Sequence, residues 1–233
     1  MSTYGLMVVR NEADRYLESS LKHNAPLVDG LLVFDDWSTD ATRDIAKNYA
    51  EVESRPRSSL SFVENEGMFR RGAWEALERV FAPKEGDVIV AVDADEYLIG
   101  DIEDFKGEAA RVSVDESWGL DGRTPLIRTD RHWGNIDNVR VWRWSDDLLD
   151  RDPVWSRRKT APGCGPFQTT MEYHAHLRIL HVGYLHPDDR ETKYQRYVND
   201  RGHGSTHVQS IRSTPKLKPY KPKPPHIYRG ATG

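Results

Sequence analysis

Gly86-Asp87-Val88-Ile89-Val90-Ala91-Val92-Asp93-Ala94-Asp95-Glu96-Tyr97 is the stretch around which the rest of the chain can be read. Residues 88–92 form a short, unbroken apolar run, rich in β-branched side chains and bounded by turn formers. That is the pattern of a strand buried on both faces. Asp93, Asp95 and Glu96 then gather three acids at its carboxyl end. Carboxylates crowded in this way repel one another unless a cation or a strongly hydrogen-bonded ligand offsets their charge, so the cluster points to a metal site. Taken alone, it also reads as an acidic turn facing water.

Upstream, strand and helix patterns alternate. Residues 4–9 predict a strand, and residues 13–23 a helix with Tyr16, Leu17 and Leu21 at helical spacing, Asn11 or Asp14 as caps and Pro26 as its stop. Residues 31–34 predict a second strand, followed by the polar turn 35–40, which can cap a helix over 41–50. A brief third strand is expected at 61–63, a helix at 67–81 with Trp74, Leu77 and Phe81 on one face, and the fourth strand at 88–92. This spacing predicts an α/β fold, with right-handed crossovers and a mostly parallel sheet whose strands all open into one crevice. Arg10, Asn11 and Glu12 follow the first strand; Asp35 and Asp36 the second; Asn65, Gly67, Arg70 and Arg71 the third; the acidic cluster the fourth. Four polar sets meeting at one sheet edge predict a nucleotide site.

In this order and spacing, Val-Arg-Asn-Glu-Ala (9–13), Phe-Asp-Asp-Trp-Ser-Thr-Asp-Ala-Thr (34–42), Asn-Glu-Gly with the arginines that follow (65–71) and Val-Asp-Ala-Asp-Glu-Tyr (92–97) resemble the family-2 glycosyltransferases. The resemblance spans roughly residues 3–100. It implies a GT-A fold, a Rossmann-like sheet flanked by helices, whose Asp-x-Asp element holds Mn²⁺ or Mg²⁺ on the diphosphate of a nucleotide-sugar donor, with uridine as the default base. By the same resemblance Val9, Arg10 and Glu12 line the nucleoside pocket and Asp36 contacts the base. Arg70 or Arg71 approaches the base or the diphosphate, Asp93 and Ala94 lie at the ribose side of the donor, and Asp95 ligates the metal. Read without it, Arg70 and Arg71 also suit solvated positions at a helix start, and Glu12 suits an acid at a helix dipole. Trp37 departs from the family pattern, which has Gly or Asn there, and a larger residue is expected to narrow the base pocket.

The second half is less regular. Strands are expected at 111–114, 126–128, 139–144 and 178–182 and a helix at 188–200, with no independent domain. The expected organisation is one GT-A domain over 1–212, with a nucleotide-sugar half to about residue 100 and a mixed acceptor half beyond it, then a tail at 213–233. Trp133, Trp142, Trp144 and Trp155 suit either a sugar platform or a core, and the alternation through 139–144 favours core for at least two of them. Ile-Leu-His-Val-Gly-Tyr (179–184), followed by His186 and Arg190, resembles a segment common in related family-2 sequences. That likeness implies His181 as a second metal ligand or a phosphate contact, against the plain alternative of a hydrogen-bonded core histidine. His174 and His176 have no third ligand beside them and read as structural. Transfer with inversion, as the family performs it, needs a general base. Glu172 is the first choice, with Glu116, Asp146, Asp147 and Asp152 as rivals.

Composition bounds the rest. In 233 residues, 37% hydrophobic and 30% charged, an ordered core with long polar loops or a solvated tail is expected. The apolar run at 6–9 breaks at once at Arg10, so neither a signal peptide nor a membrane span is read, and a cytoplasmic protein without membrane insertion is expected. A lone Cys164 cannot form an intrachain disulfide. Net charge is −4, yet residues from Arg190 onward carry ten Lys or Arg against two acids. From Ser213 the chain is proline-rich and basic and should be extended or disordered, drawing an anionic partner or merely solvated. Together these features lead to a metal-dependent inverting glycosyltransferase with a nucleoside-diphosphate donor. Its acceptor would be a hydroxyl of a glycan, a protein or a hydroxymethyl-type nucleic-acid base. A nucleotidyltransferase would want a Gly-rich, Lys- or Arg-bearing loop after the first strand, which is absent. A nucleic-acid-binding module explains the tail and leaves the acidic strand end unexplained.

Overall fold

The computed structural model describes residues 1–102, 107–134, 136–150, 166, 171–199, 205–222, 225–227 and 229, with backbone alone at 131, 132, 171–175, 199 and 205–207. In chain order the elements are β1 (Thr3–Val9), α1 (Leu17–Asn24), β2 (Gly30–Asp35), α2 (Thr42–Ala46), β3 (Glu51–Ser54), α3 (Glu66–Phe81), β4 (Val88–Asp93) and β5 (Glu96–Gly100). There follow β6 (Ala109–Asp121), β7 (Thr124–Arg128), β8 (Ile136–Arg143), β9 (Met171–His181), α4 (Pro187–Asn199), α5 (Ser205–Ile211) and β10 (Leu217–Pro219).

Among the described residues the strands form one sheet, in the order β10-β7-β6-β8-β4-β1-β2-β3, with β9 set between β5 and β6. The run β4-β1-β2-β3 is parallel throughout. Beyond β4 the pairings are antiparallel except β6 with β9. The expected α/β class, a parallel half joined to a mixed half, is what the chain adopts. β4 explains why. Val88, Val90 and Val92 face a core shared with Leu17 and Leu21 of α1 and Ala46 of α2, while Ile89 and Ala91 face one built on Phe69, Ala73, Trp74 and Leu77 of α3. An apolar run without alternation is the sequence trace of helices on both faces.

Several local expectations differ. The third strand is β3 and not 61–63, where the chain turns. β3 is an edge strand whose Val52 alone packs on the core, so it carries almost no apolar pattern. The helix expected over 41–50 is only one turn and a half, and α1 starts at Leu17 without a side-chain cap, the chain from Ala13 to Tyr16 being turn. α3 has a cap that was not expected, Asn65, which accepts from Met68 N at 3.1 Å.

Of the tail's two expected states, residues 217–219 take the extended one, and they are docked. β10 pairs antiparallel with β7, Tyr220 N donates to Pro125 O at 2.8 Å, and the Tyr220 ring is buried beside Leu180, Val182 and Leu185. Pro219 is tolerated because an outermost strand need not donate on its free side. Beneath it Arg128, wholly buried, donates to Ser210 O (2.8 Å), Ser213 Oγ (2.7 Å) and both oxygens of Asp130 (2.9 and 3.0 Å). Trp142 and Trp144 are core; Trp155 and Cys164 lie outside the described residues. Among the described residues no helix is long and apolar enough to cross a membrane.

Candidate active site

β1 and β2 run parallel with Val9 opposite Asp35, so the loops after them leave the sheet side by side. They lock together through two residues in left-handed conformation, Asn11 (φ 52°) and Trp37 (φ 58°). Asn11 N donates to Ser38 Oγ at 2.9 Å, Thr39 N donates to Asn11 Oδ1 at 2.8 Å, and Glu12 N donates to Thr42 Oγ1 at 2.7 Å. Trp37 occupies a conformation that suits Gly or Asn, and a tryptophan there costs on the order of 1–2 kcal/mol. Its ring offsets this by donating to Arg55 O at 3.1 Å and packing under Arg57. It is not among the residues that line the cleft, contrary to the expected narrowing. Asp36, fully buried beside this corner, accepts from Arg10 Nη1 (3.1 Å), Phe62 N (3.1 Å) and Arg55 Nε.

The strand ends open into a cleft of about 1350 Å³. At its floor β9 does the positioning. His181 pairs in register with Glu96 of β5 on one side and Glu116 of β6 on the other. Its Nδ1 lies 2.5 Å from Glu116 Oε2, which leaves Nε2 facing Asp95 Oδ2 at 3.3 Å. Lys193 of α4 reaches the same point, 3.3 Å from Asp95 Oδ2 and 3.0 Å from His181 Nε2. One step away Arg140 of β8 holds Glu96 Oε1 at 2.6 Å and Asp93 Oδ2 at 3.4 Å, with Arg70 3.9 Å from Asp93 Oδ1.

These contacts set the charges. Burial favours the neutral form of Asp95, but Lys193, His181 and Arg15 outweigh it and hold the carboxylate well below its usual range. Burial works against the imidazolium of His181, and the carboxylates of Glu116 and Asp95 overcome it, raising the ring to about 10. Glu12 goes the other way: burial, with Asp95 adding, pushes it up to about 7 despite Arg15. Its Oε2 is buried with no hydrogen-bond partner among the described residues.

Asp95 and, once a cation displaces the proton from its Nε2, His181 would offer one carboxylate and one imidazole to a shared space. Among the described residues no three His, Cys, Asp or Glu side chains are grouped to hold a metal by themselves. A hard divalent ion here would take its remaining ligands from phosphate oxygens and water, as Mg²⁺ and Mn²⁺ bound with nucleotides do. Gly183 gives the space its shape, because a Cβ there would come within 2.3 Å of Asp95 Oδ2 and 2.6 Å of His181 Nε2. The residues present therefore fit such an ion.

No protein-family model matches this chain, and no curated protein does. Solved structures do. One is glucosyl-3-phosphoglycerate synthase from Mycobacterium tuberculosis in complex with Mn²⁺, uridine diphosphate and glucosyl-3-phosphoglycerate, at 26% identity over 49% of this chain and 44% of that one, with a TM-score of 0.34. Another is the same enzyme with phosphoglyceric acid, at 27% identity over 52% and 45%, with a TM-score of 0.35. A third is mannosyl-3-phosphoglycerate synthase from Rubrobacter xylanophilus, at 22% identity over 50% and 40%, with a TM-score of 0.34. The chain is similar to GT-A glycosyltransferases. It spans less than half the length of these structures.

The residues expected at the donor, Arg71 apart, line this one cleft. Val9, Arg10, Glu12 and Asp36 line the cleft from the β1 and β2 corners, Arg70 from α3, Asp93, Ala94 and Asp95 from the end of β4, and His181 from β9. Arg71 does not join them: one residue further round α3, it donates to Glu75 Oε1 at 2.8 Å on the outer face. Glu172 lies on β9 opposite Ala110 by backbone register, its side chain outside what is described, and Asp152 is likewise outside. Glu116, a rival for the base, is engaged by His181. Arg15, Arg140 and Lys193 were missed. Arg140 had left a signal, a charge between Val139 and Val141, both of which are buried.

Proposed function

We propose that this cleft is the donor and transfer site of a metal-dependent inverting GT-A glycosyltransferase. Its donor would be a nucleoside-diphosphate sugar, uridine diphosphate being the default carrier. The observation that carries the reading is the Asp95–His181 pair facing Gly183 at the end of the central parallel strand. Glu116 fixes the imidazole so that Nε2 is presented to that space, as carboxylates behind metal-binding histidines do. A divalent cation bound there would offset the negative charge that develops on the departing diphosphate.

The chain's own residues do the rest. Val9 and the Arg10–Asp36 pair bound the nucleoside end, where Asp36 is pre-oriented by Arg10, Arg55 and the Phe62 amide. Asp93, steadied by Arg140 and Arg70, stands at the ribose, and Arg70 supplies positive charge toward the phosphates. Inversion needs a base that takes the acceptor's proton as its oxygen attacks opposite the leaving group. Glu172, the first choice for that base, stands by backbone register opposite Ala110, six residues along β6 from Glu116, and Glu116 is itself engaged by His181. The acceptor is a hydroxyl on a glycan, a protein or a hydroxymethyl-type base in nucleic acid. The last is favoured only by the basic carboxyl-terminal residues.

Screening nucleotide sugars for hydrolysis with Mn²⁺ tests the reading. Activity should vanish with EDTA, and Asp95→Asn should lower turnover on the order of 10²-fold or more, as when one strong contact to developing charge is lost. Full activity in EDTA would overturn it.

A further inference from the structure

Lys193 is a cation already inside the site, and nothing in the proposed chemistry uses it. Its Nζ lies 3.3 Å from Asp95 Oδ2, 3.0 Å from His181 Nε2 and 4.4 Å from the centre of the Tyr184 ring, on a side chain that is nearly buried. The first two are the atoms a metal would need. A Cβ on Gly183 would come within 2.0 Å of this same Nζ, so carboxylate, imidazole and ammonium all converge on one small space.

An ammonium and a divalent cation cannot occupy that space together, because like charges so close in a poorly solvated site repel strongly. Something must therefore move Lys193 before a metal enters. Its four-carbon stem allows that, and a compact ammonium is well suited to a phosphate as a point charge. We propose that Lys193 closes the metal seat in the free protein and gives it up only when a nucleotide diphosphate arrives to receive the ammonium. Lys193 is thus a positioning residue that makes cation and donor bind as a pair. Arg15, with Nη2 4.0 Å from Asp95 Oδ2, stays behind as a fixed counter-charge. In the free protein the ammonium neutralises Asp95; in the loaded one it faces the leaving group. The inference rests on the metal reading of this same site.

Mn²⁺ binding, followed by the electron spin resonance signal of the free ion at one fixed pH, separates the possibilities. Wild type, Lys193→Met, Lys193→Gln, Lys193→Arg and Asp95→Asn are each titrated with and without uridine diphosphate, allowing for Mn²⁺ held by nucleotide in solution. Thermal melts show which variants are folded, and the two neutral variants guard against one failing to fold. Without nucleotide, Lys193→Met or Lys193→Gln should bind Mn²⁺ on the order of tenfold tighter than wild type, within the usual range of site-to-site coupling. The gain that uridine diphosphate confers should shrink by a similar factor, and Lys193→Arg, which keeps the charge, should not tighten binding. If the neutral variants bind Mn²⁺ no tighter than wild type while Asp95→Asn abolishes binding, the Lys193 inference fails and the metal site stands. If Asp95→Asn leaves Mn²⁺ binding unchanged with nucleotide present, the metal reading fails and the role of Lys193 with it.

Discussion

Two buried charged clusters flank Trp133, one around Arg128 and one around Asp95. The first closes on itself. Arg128 donates to Asp130, Ser210 and Ser213, lies against Trp118 and Trp133, and holds Asp130 far below its usual range by direct hydrogen bonding. The second does not close. Asp93, Asp95, Glu96 and Glu116 crowd against Arg140, His181 and Lys193, and burial raises Glu12 and Glu96 to about 7. The Oε2 atom of Glu12 has no hydrogen-bond partner among the described residues. A cluster that satisfies its own charges holds a fold together; one that leaves charge unanswered in a cleft has room for a ligand's charge.

The sharpest way to break the comparison is at Arg128. Arg128→Met strands Asp130 and frees α5 and the tail, and should cost about 3–5 kcal/mol in urea denaturation, the scale of a buried pair that loses one partner. Uridine diphosphate affinity per folded molecule should not move. A cost below 1 kcal/mol would mean the first cluster is not structural.

Glu12 sharpens the other side. Its folded pKa of about 7 lies above its unfolded value of 4.5, so the folded protein holds the proton more tightly. That contribution is complete below pH 4.5 and is lost as pH rises to about 7. Glu12→Gln in metal-free protein should match wild type near pH 4.5 and be more stable by up to about 3 kcal/mol at pH 8, since each pKa unit is worth about 1.4 kcal/mol. Melting temperatures that differ equally at both pH values would contradict the stranded carboxyl. The smallest effect is expected at Asp36. Asp36→Ala should weaken uridine diphosphate binding in calorimetry by roughly 1–3 kcal/mol, the range for a lost hydrogen bond to a charged group. Undiminished affinity would place the base elsewhere.

The two clusters also differ in how far they could be read from sequence. The parallel half was legible because its signals are local, as in the unbroken run of β4 and the helical spacing of Trp74, Leu77 and Phe81 in α3. The cleft residues at the ends of β1, β2 and β4 came with it, since they follow those strands directly, whereas Arg70 was found although the strand expected before it was misplaced. Glu116, Arg140 and Lys193 reach Asp95 and its neighbours from elements far along the chain, and no local pattern marks a side chain for a distant partner. The docking of 217–219 was invisible for another reason. All three residues are exposed and the pairing is carried by backbone, so hydrophobic periodicity holds no trace of it.

The register of β9 against β6 shows where this chain can tolerate an extra residue. From Arg178 to His181 the pairing is regular, Ser113 opposite Arg178 and Glu116 opposite His181, and Arg178 clamps it with two bonds to Asp115, at 2.8 and 2.7 Å. Between Tyr173 and Arg178 the register shifts. One residue inserted in that slack length can be absorbed before the clamp. The same insertion after Arg178 would turn the imidazole to the opposite face of the sheet, away from Glu116 and Asp95 together. These four residues of strand are where drift in length would take His181 out of register with Glu116.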